Sequence, residues 1–202
     1  MEEQYYLLKI VLNESRPEIW RRFVVPADIS LDRLHDVIQV VMGWQDSHLH
    51  EFLFGKRRFT EDPEEPEQGK NEAIFRLCDL IRTKGKSFSY LYDFGDSWSH
   101  EITLEHANFR ADHLPCAFYC IEGEGCCPPE DCGGINGFYQ LLSVLETPDS
   151  DDYDDTITWL QGMADFSCSP LFSPTFIDLN TINYRLGFCW RWSRTRYLPL
   201  TE

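Results

Sequence analysis

"SFSYLYDFGDSWSHEITLE", Ser87 to Glu105, carries the clearest hairpin pattern in the chain. Phe88, Tyr90 and Tyr92 fall on one face of a first strand, because side chains along a strand alternate with period two. Trp98, His100, Ile102 and Leu104 fall on one face of a second strand. The residues between them, Asp93, Phe94, Gly95, Asp96 and Ser97, read as the turn of a hairpin, with Gly95 available for positive φ.

On the N-terminal side, "YYLLKIVL" (Tyr5 to Leu12) and "IWRRFVV" (Ile19 to Val25) are rich in aromatic and β-branched residues and read as two further strands. Ser30 stands where a helix cap belongs, and Leu34, Val37, Ile38, Val41 and Met42 follow at helical spacing. Gly43 is the natural stop of that helix. "HLHEFLF" (His48 to Phe54) then reads as a strand, and "FRLCDLI" as a short helix after the acidic loop Thr60 to Glu72. On the C-terminal side, Phe138, Leu141, Leu142 and Leu145 mark one helix, and Tyr153, Ile157 and Leu160 a second. Asp178 caps a third that Gly187 ends. Strands and helices are segregated rather than alternating, which predicts a single α+β domain. Its sheet is antiparallel or mixed, built of hairpins and packed on several helices. The domain is expected over 1–187, with a basic aromatic tail over 188–202.

The chain has 202 residues and a formal net charge of −16, a field that repels phosphate backbones. Glu122 to Asp155 holds ten acidic residues and no Lys or Arg. The tail reverses this with Arg191, Arg194 and Arg196 among Trp190, Trp192 and Tyr197, the one segment suited to gripping a single strand or a protein. The simpler reading packs its indoles on the body and its arginines on the acidic surface. No apolar run approaches the roughly 20 residues of a membrane span, and "MEEQYYLLKI" lacks a signal-peptide pattern. A cytoplasmic protein is expected.

Three groups of residues carry chemistry. Asp93 and Asp96 are paired carboxylates suited to acid–base or metal work, though aspartate also favours turns for its own backbone bonds. His48 and His50, two apart, share a strand face and suit two-point ligation, or are buried and hydrogen-bonded. "EGCCPPEDCGG" (Glu124 to Gly134) is open to three readings. One is a structural zinc site of Cys120, Cys127 and Cys132 with His100 as fourth ligand. Another is a proline-stiffened turn with buried thiols as small hydrophobes. The third is a redox loop. With eight cysteines and no export signal, thiols or metal fit better than disulfides. "DFG" at Asp93 is not a kinase motif, since no glycine-rich phosphate loop accompanies it. "DSDDYDD" is not an EF-hand loop, since Leu160 stands where the closing Glu belongs.

"LHDVIQVVMGWQDSHLHEF" (Leu34 to Phe52), "YLYDFGDSWSHEITLE" (Tyr90 to Glu105) and "CCPPEDCGGINGFYQLL" (Cys126 to Leu142) together resemble the plasmid pRiA4b ORF-3-like family, sometimes labelled an insertion-element passenger of TnpR type. "ITWLQG" and "DLNTINYRL" extend the resemblance, which ends near Gly187. The resemblance implies an intracellular α+β domain found near mobile elements, and it implies little chemistry. The family's motif positions fall on Trp44, His48, Asp93, Gly95, Asp96, Trp98, His100, Pro128, Pro129, Glu130, Asp131, Gly133 and Gly134. Cys120, Cys127 and Cys132 match positions where the family commonly has cysteine, and Cys126 is an extra.

Two functions are consistent with these residues. The first is a non-enzymatic binding or accessory module, whose groove of Trp44, His48, Asp93, Asp96, Trp98, Glu130 and Asp131 takes a protein or a basic ligand. The second is a metal-dependent hydrolase or nuclease using a His/Asp/Glu cluster. A serine recombinase is not expected, because the chain is acidic and shows no helix-turn-helix.

Overall fold

A computed structural model describes residues 4–163 and 175–189. The hairpin is present as β6 (Ser87–Tyr92) and β7 (Trp98–Phe109), and it forms the middle of one eight-stranded sheet. The other strands are β1 (Tyr5–Leu12), β2 (Trp20–Pro26), β3 (His50–Phe54), β4 (Arg57–Thr60), β5 (Lys70–Asn71) and β8 (Tyr119–Glu124). Their spatial order is β5-β4-β3-β6-β7-β1-β2-β8. The β4–β5 pair is parallel, and the others are antiparallel. The architecture is a single-domain α+β fold with a mixed sheet.

Along β1, Tyr6, Leu8, Ile10 and Leu12 are buried while the intervening residues are half-buried. That alternation is the signature of a sheet with one face in the core. The core face continues through Phe23, Phe52, Tyr90, Tyr92, Trp98 and Ile102 and meets α1 (Leu31–Met42). Leu34, Val37, Ile38 and Val41 of α1 lie in the same cluster, each fully buried. Burying side chains of this size contributes about 1.5–3 kcal/mol apiece, so Val37→Asp would unseat the helix. Ser30 occupies the N-cap position without a side-chain capping bond, and Gly43 ends the helix with φ 102°. The remaining helices are α2 (Leu77–Leu80), α3 (Gly134–Leu145), α4 (Tyr153–Gly162) and α5 (Leu179–Cys189).

Both sheet edges are managed. β5 is two residues long. β8 is covered by α5, where the Asn183 side chain accepts from Cys120 N–H at 2.7 Å and donates to Cys120 C=O at 2.9 Å. One amide side chain thus occupies backbone groups that would otherwise invite another strand.

Three local expectations are corrected. Gly95 does not supply the positive φ of the hairpin turn. Asp93 (φ 56°) and Ser97 (φ 57°) do, because the Asp93 carboxylate accepts from Gly95 N–H at 2.8 Å and stabilises that conformation. Gly187 does not end the last helix, which runs on to Cys189, while Asp178 does cap it by accepting from Asn180 and Thr181 N–H. His48 precedes β3 rather than lying in it, so its side chain does not share a face with His50. Residues 190–202, including the tail's arginines and indoles, lie outside the described residues.

Candidate functional site

Gly43 to Leu49 links α1 to β3, and its backbone is held by side chains from elsewhere. Gln39 C=O accepts from Gly43 N–H at 2.8 Å and from Trp44 N–H at 2.9 Å. Gln45 N–H donates to Glu130 Oε1 at 3.1 Å, Asp46 N–H to Gln39 Oε1 at 2.9 Å, and Ser47 N–H to Tyr92 Oη at 2.9 Å. Every N–H from Gly43 to Ser47 therefore has an acceptor, three of them side-chain oxygens. An irregular segment persists in a packed protein only when its donors are satisfied in this way.

The 128–134 loop docks on the same place. Trp44 Nε1 donates to Pro128 C=O at 3.1 Å. Tyr92 Oη donates to Glu130 Oε1 in a short hydrogen bond, and Ser47 Oγ donates to Glu130 Oε2 at 3.4 Å. Burial, reinforced by the neighbouring Glu130 carboxylate, pushes the Tyr92 hydroxyl far above its ordinary range, so it remains a donor. The loop also seats on the hairpin turn, where Gly133 N–H donates to Asp96 Oδ2 at 3.1 Å. Gly134 has φ 68°, and a Cβ there would lie 2.5 Å from Asp96 C=O. Only glycine permits that approach.

Three motif segments distant in sequence thus converge. Their convergence sets His48, Asp93 and Asp131 side by side, with one ligand atom of each within 4.8 Å of the others. His48 Nε2 is 3.3 Å from Asp131 Oδ1 and 3.7 Å from Asp93 Oδ2. Two atoms each about 2.1 Å from a tetrahedral ion lie about 3.4 Å apart, so these separations suit a shared cation. His48 Nε2 is shielded from solvent and has no hydrogen-bond partner. Asp93 spends Oδ1 on Gly95 N–H and keeps Oδ2 for the site. The side chains are graded in exposure, Asp93 10%, His48 27% and Asp131 62%, so the cluster opens to solvent on the Asp131 side.

A second cluster, His35, Asp46 and His50, also brings one ligand atom of each residue within 4.8 Å of the others. It differs in chemistry. The two imidazoles stack with centroids 3.5 Å apart and planes 8° from parallel. Ring-nitrogen lone pairs lie in the ring plane, so parallel rings cannot both aim at one ion. Three of the four ring nitrogens are also engaged: both of His35, with Asp46 (2.7 Å) and Tyr90 Oη (2.8 Å), and His50 Nε2 with Glu72 (2.9 Å).

The other sequence-derived candidates separate into two roles. Trp44 and Trp98 are buried in the core rather than exposed at the site, with Trp44 stacked on Tyr92. Glu130 is buried and consumed by loop docking, and Asp96 fastens the glycine pair. Cys120, Cys127, Cys132 and His100 do not assemble into a ligand cluster among the described residues. Burial holds the Cys120 thiol up at about 11 and the Cys132 thiol at about 12, and it pushes Cys127 further still. These thiols are protonated at neutral pH. Cys120 and Cys127 lie near the buried Arg21 guanidinium, which opposes the rise without cancelling it. Among the described residues, Arg21 donates to the carbonyls of Val41, Trp20, Glu124 and Gly125. Cys126 is disulfide-bonded, which corrects the expectation that the cysteines are thiols or metal ligands rather than disulfides. His100 is fully buried with its imidazole depressed to about 3 by desolvation, and Nδ1 donates to Tyr90 C=O at 3.3 Å. The cysteine loop thus turns sulfur and the Glu130 carboxylate inward and the Asp131 carboxylate outward.

His35, Gln39, Asp46, Tyr92 and Glu72 were not singled out by sequence reasoning as site residues. The available signal was His35 and Gln39, two polar residues four apart on the buried face of α1.

The chain resembles proteins from distant sources. It is 39% identical over 175 residues to the uncharacterized protein y4hQ of Sinorhizobium fredii (strain NBRC 101917 / NGR234), covering 86% of this chain and 87% of that one. Its fold matches the crystal structure of MM3350, a protein of unknown function from Methanosarcina mazei Go1, with TM-score 0.76 and 30% identity. That match covers 89% of this chain and 98% of the other. The family model described as plasmid pRiA4b ORF-3-like protein matches residues 4–181, nearly the whole described fold, and the chain belongs to that family.

Proposed function

We propose that the protein is a binding module built around a divalent-cation site formed by His48, Asp93 and Asp131. The observation that carries this reading is the unbonded, shielded Nε2 of His48 facing two carboxylates at 3.3 and 3.7 Å. One imidazole and two carboxylates suit a Zn²⁺- or Mn²⁺-class ion. The role is accessory, in the mobile-element setting that the family resemblance implies. Recombinase chemistry has no support in a site made of imidazole and carboxylates. The acidic surface favours a protein or basic partner over nucleic acid.

A second reading, metal-dependent hydrolysis, is favoured by one feature. Three protein ligands on an outward-opening cluster leave coordination positions for water and substrate, as catalytic metal sites require. Titration of purified protein with Mn²⁺ and Zn²⁺, followed by calorimetry and by electron paramagnetic resonance for Mn²⁺, tests the cation site. One ion per chain, lost in His48→Gln, supports the reading, and no saturable binding removes it. Phosphodiester or ester turnover by the loaded protein, abolished in the same variant, would select the enzyme reading.

A further inference from the structure

The hydrogen bonds around Asp46 form a closed cycle with a fixed direction. Asp46 N–H can only donate, so its partner at 2.9 Å must be the oxygen of the Gln39 amide. The other end of that amide is then NH₂, and it donates to Tyr90 Oη at 3.0 Å. Tyr90 is fully buried, and desolvation pushes its hydroxyl well above the ordinary range, so its proton stays and needs an acceptor. His35 Nδ1, at 2.8 Å, is that acceptor. An imidazole accepting at Nδ1 carries its hydrogen on Nε2, which donates to Asp46 Oδ1 at 2.7 Å. The cycle starts at the backbone of Asp46 and ends at its side chain. All four bonds run the same way round, the arrangement in which each polarises the next.

Asp46 has φ 59°, a left-handed conformation that a non-glycine residue holds only under constraint. Two residues later comes His48. Between them, Ser47 N–H is fixed by Tyr92, which also holds Glu130, the neighbour of Asp131.

We propose that His35 is a positioning residue for the His48–Asp93–Asp131 site, held as the neutral Nε2–H tautomer and acting through Asp46 to keep the loop in ligand-ready geometry. The inference rests on the cation reading above. A second proton on His35, at Nδ1, would leave the buried Tyr90 hydroxyl hydrogen without an acceptor, so the clamp works in one protonation state only. The groups facing it are Asp46, Tyr90, the stacked His50 with its Glu72, and Tyr92 and Asp36 beyond Tyr90.

Long-range ¹H–¹⁵N spectra of the wild-type protein at neutral pH read the tautomer directly. A protonated Nε2 and an accepting Nδ1 on His35 are expected, and an Nδ1–H or doubly protonated ring overturns the proposal. Tyr90→Phe keeps the ring and cuts the cycle. It should weaken Mn²⁺ binding about tenfold and shift the His48 ring resonances. Tyr6→Phe is the control, since it removes a buried hydroxyl bond to Ile81 C=O at 3.1 Å away from the site. It should leave Mn²⁺ affinity unchanged. Equal Mn²⁺ affinity in Tyr90→Phe and wild type sinks the positioning role, as does an equal loss in both variants. If wild-type protein binds no metal, the cation reading fails alone, and the tautomer and the His48 resonances still decide the clamp.

Discussion

His35–Asp46–His50 and His48–Asp93–Asp131 use the same side-chain types, overlap in sequence and meet the same distance test, yet they are built for opposite ends. In the first, the ring nitrogens named above have hydrogen-bond partners, the rings are stacked, and both histidines are buried. In the second, an imidazole nitrogen faces two carboxylates with no hydrogen bond, and one carboxylate stands in solvent. Composition therefore does not distinguish a strut from a site. What does is whether the polar atoms are already spent. A spent cluster contributes stability, and an unspent one is free to bind.

Four measurements test whether the two clusters differ in this way. The largest effect belongs to the spent cluster. Glu72→Ala leaves the buried His50 without its carboxylate, and denaturant unfolding should show a loss of about 3 kcal/mol, with Mn²⁺ affinity changed less than threefold in the folded fraction. A loss below about 1 kcal/mol would mean that this pair is no strut. Next, Asp93→Asn should lower Mn²⁺ affinity about a hundredfold, about 2.7 kcal/mol, because it removes one of two charges from the site. Unchanged affinity would move the ion elsewhere.

The third measurement concerns His100, which packs against Tyr90 and Trp44. Its folded-state value of about 3 is below the usual unfolded imidazole value of about 6.5. Between those limits the unfolded chain binds the extra proton, so stability is intact above about pH 6.5 and falls as pH drops toward 3, by at most about 1.4 kcal/mol per pH unit from this group. His100→Leu should flatten the stability–pH curve by about one proton in that window. An unchanged slope would mean that the ring is not held neutral. The smallest effect is on the unspent cluster: His48→Gln should change stability by no more than about 0.5 kcal/mol, since Nε2 makes no bond to lose. A large loss would show that His48 is a strut after all.

Much of the fold was legible because it is written in local periodicity. β1 follows the alternation of Tyr5 to Leu12, α1 follows the stripe from Leu34 to Met42 with Gly43 as its stop, and the Ser87–Glu105 hairpin stands where its two apolar faces placed it. β8 was not legible, since "YCIEGE" has neither clean alternation nor β-branched density, and its pairing to β2 depends on a partner a hundred residues away. Of the site, His48, Asp93 and Asp131 were named from the sequence as three motif positions. Their roles were not separable there from those of Glu130, Asp96, Trp44 and Trp98.

The α+β class, the acidic surface, the main strands and helices, and the three segments worth watching could all be read from the sequence. Those properties depend on residue type and spacing within one element. Tertiary structure alone decided that Glu130 is consumed by Tyr92 and the Gln45 backbone while Asp131, its neighbour, faces solvent. It likewise decided that Cys120 and Cys127 lie near Arg21, and that His48 and His50, two residues apart, serve different clusters. The physical reason is that a polar atom's role depends on which partners fill its bonding positions. Those partners come from elements far apart along the chain.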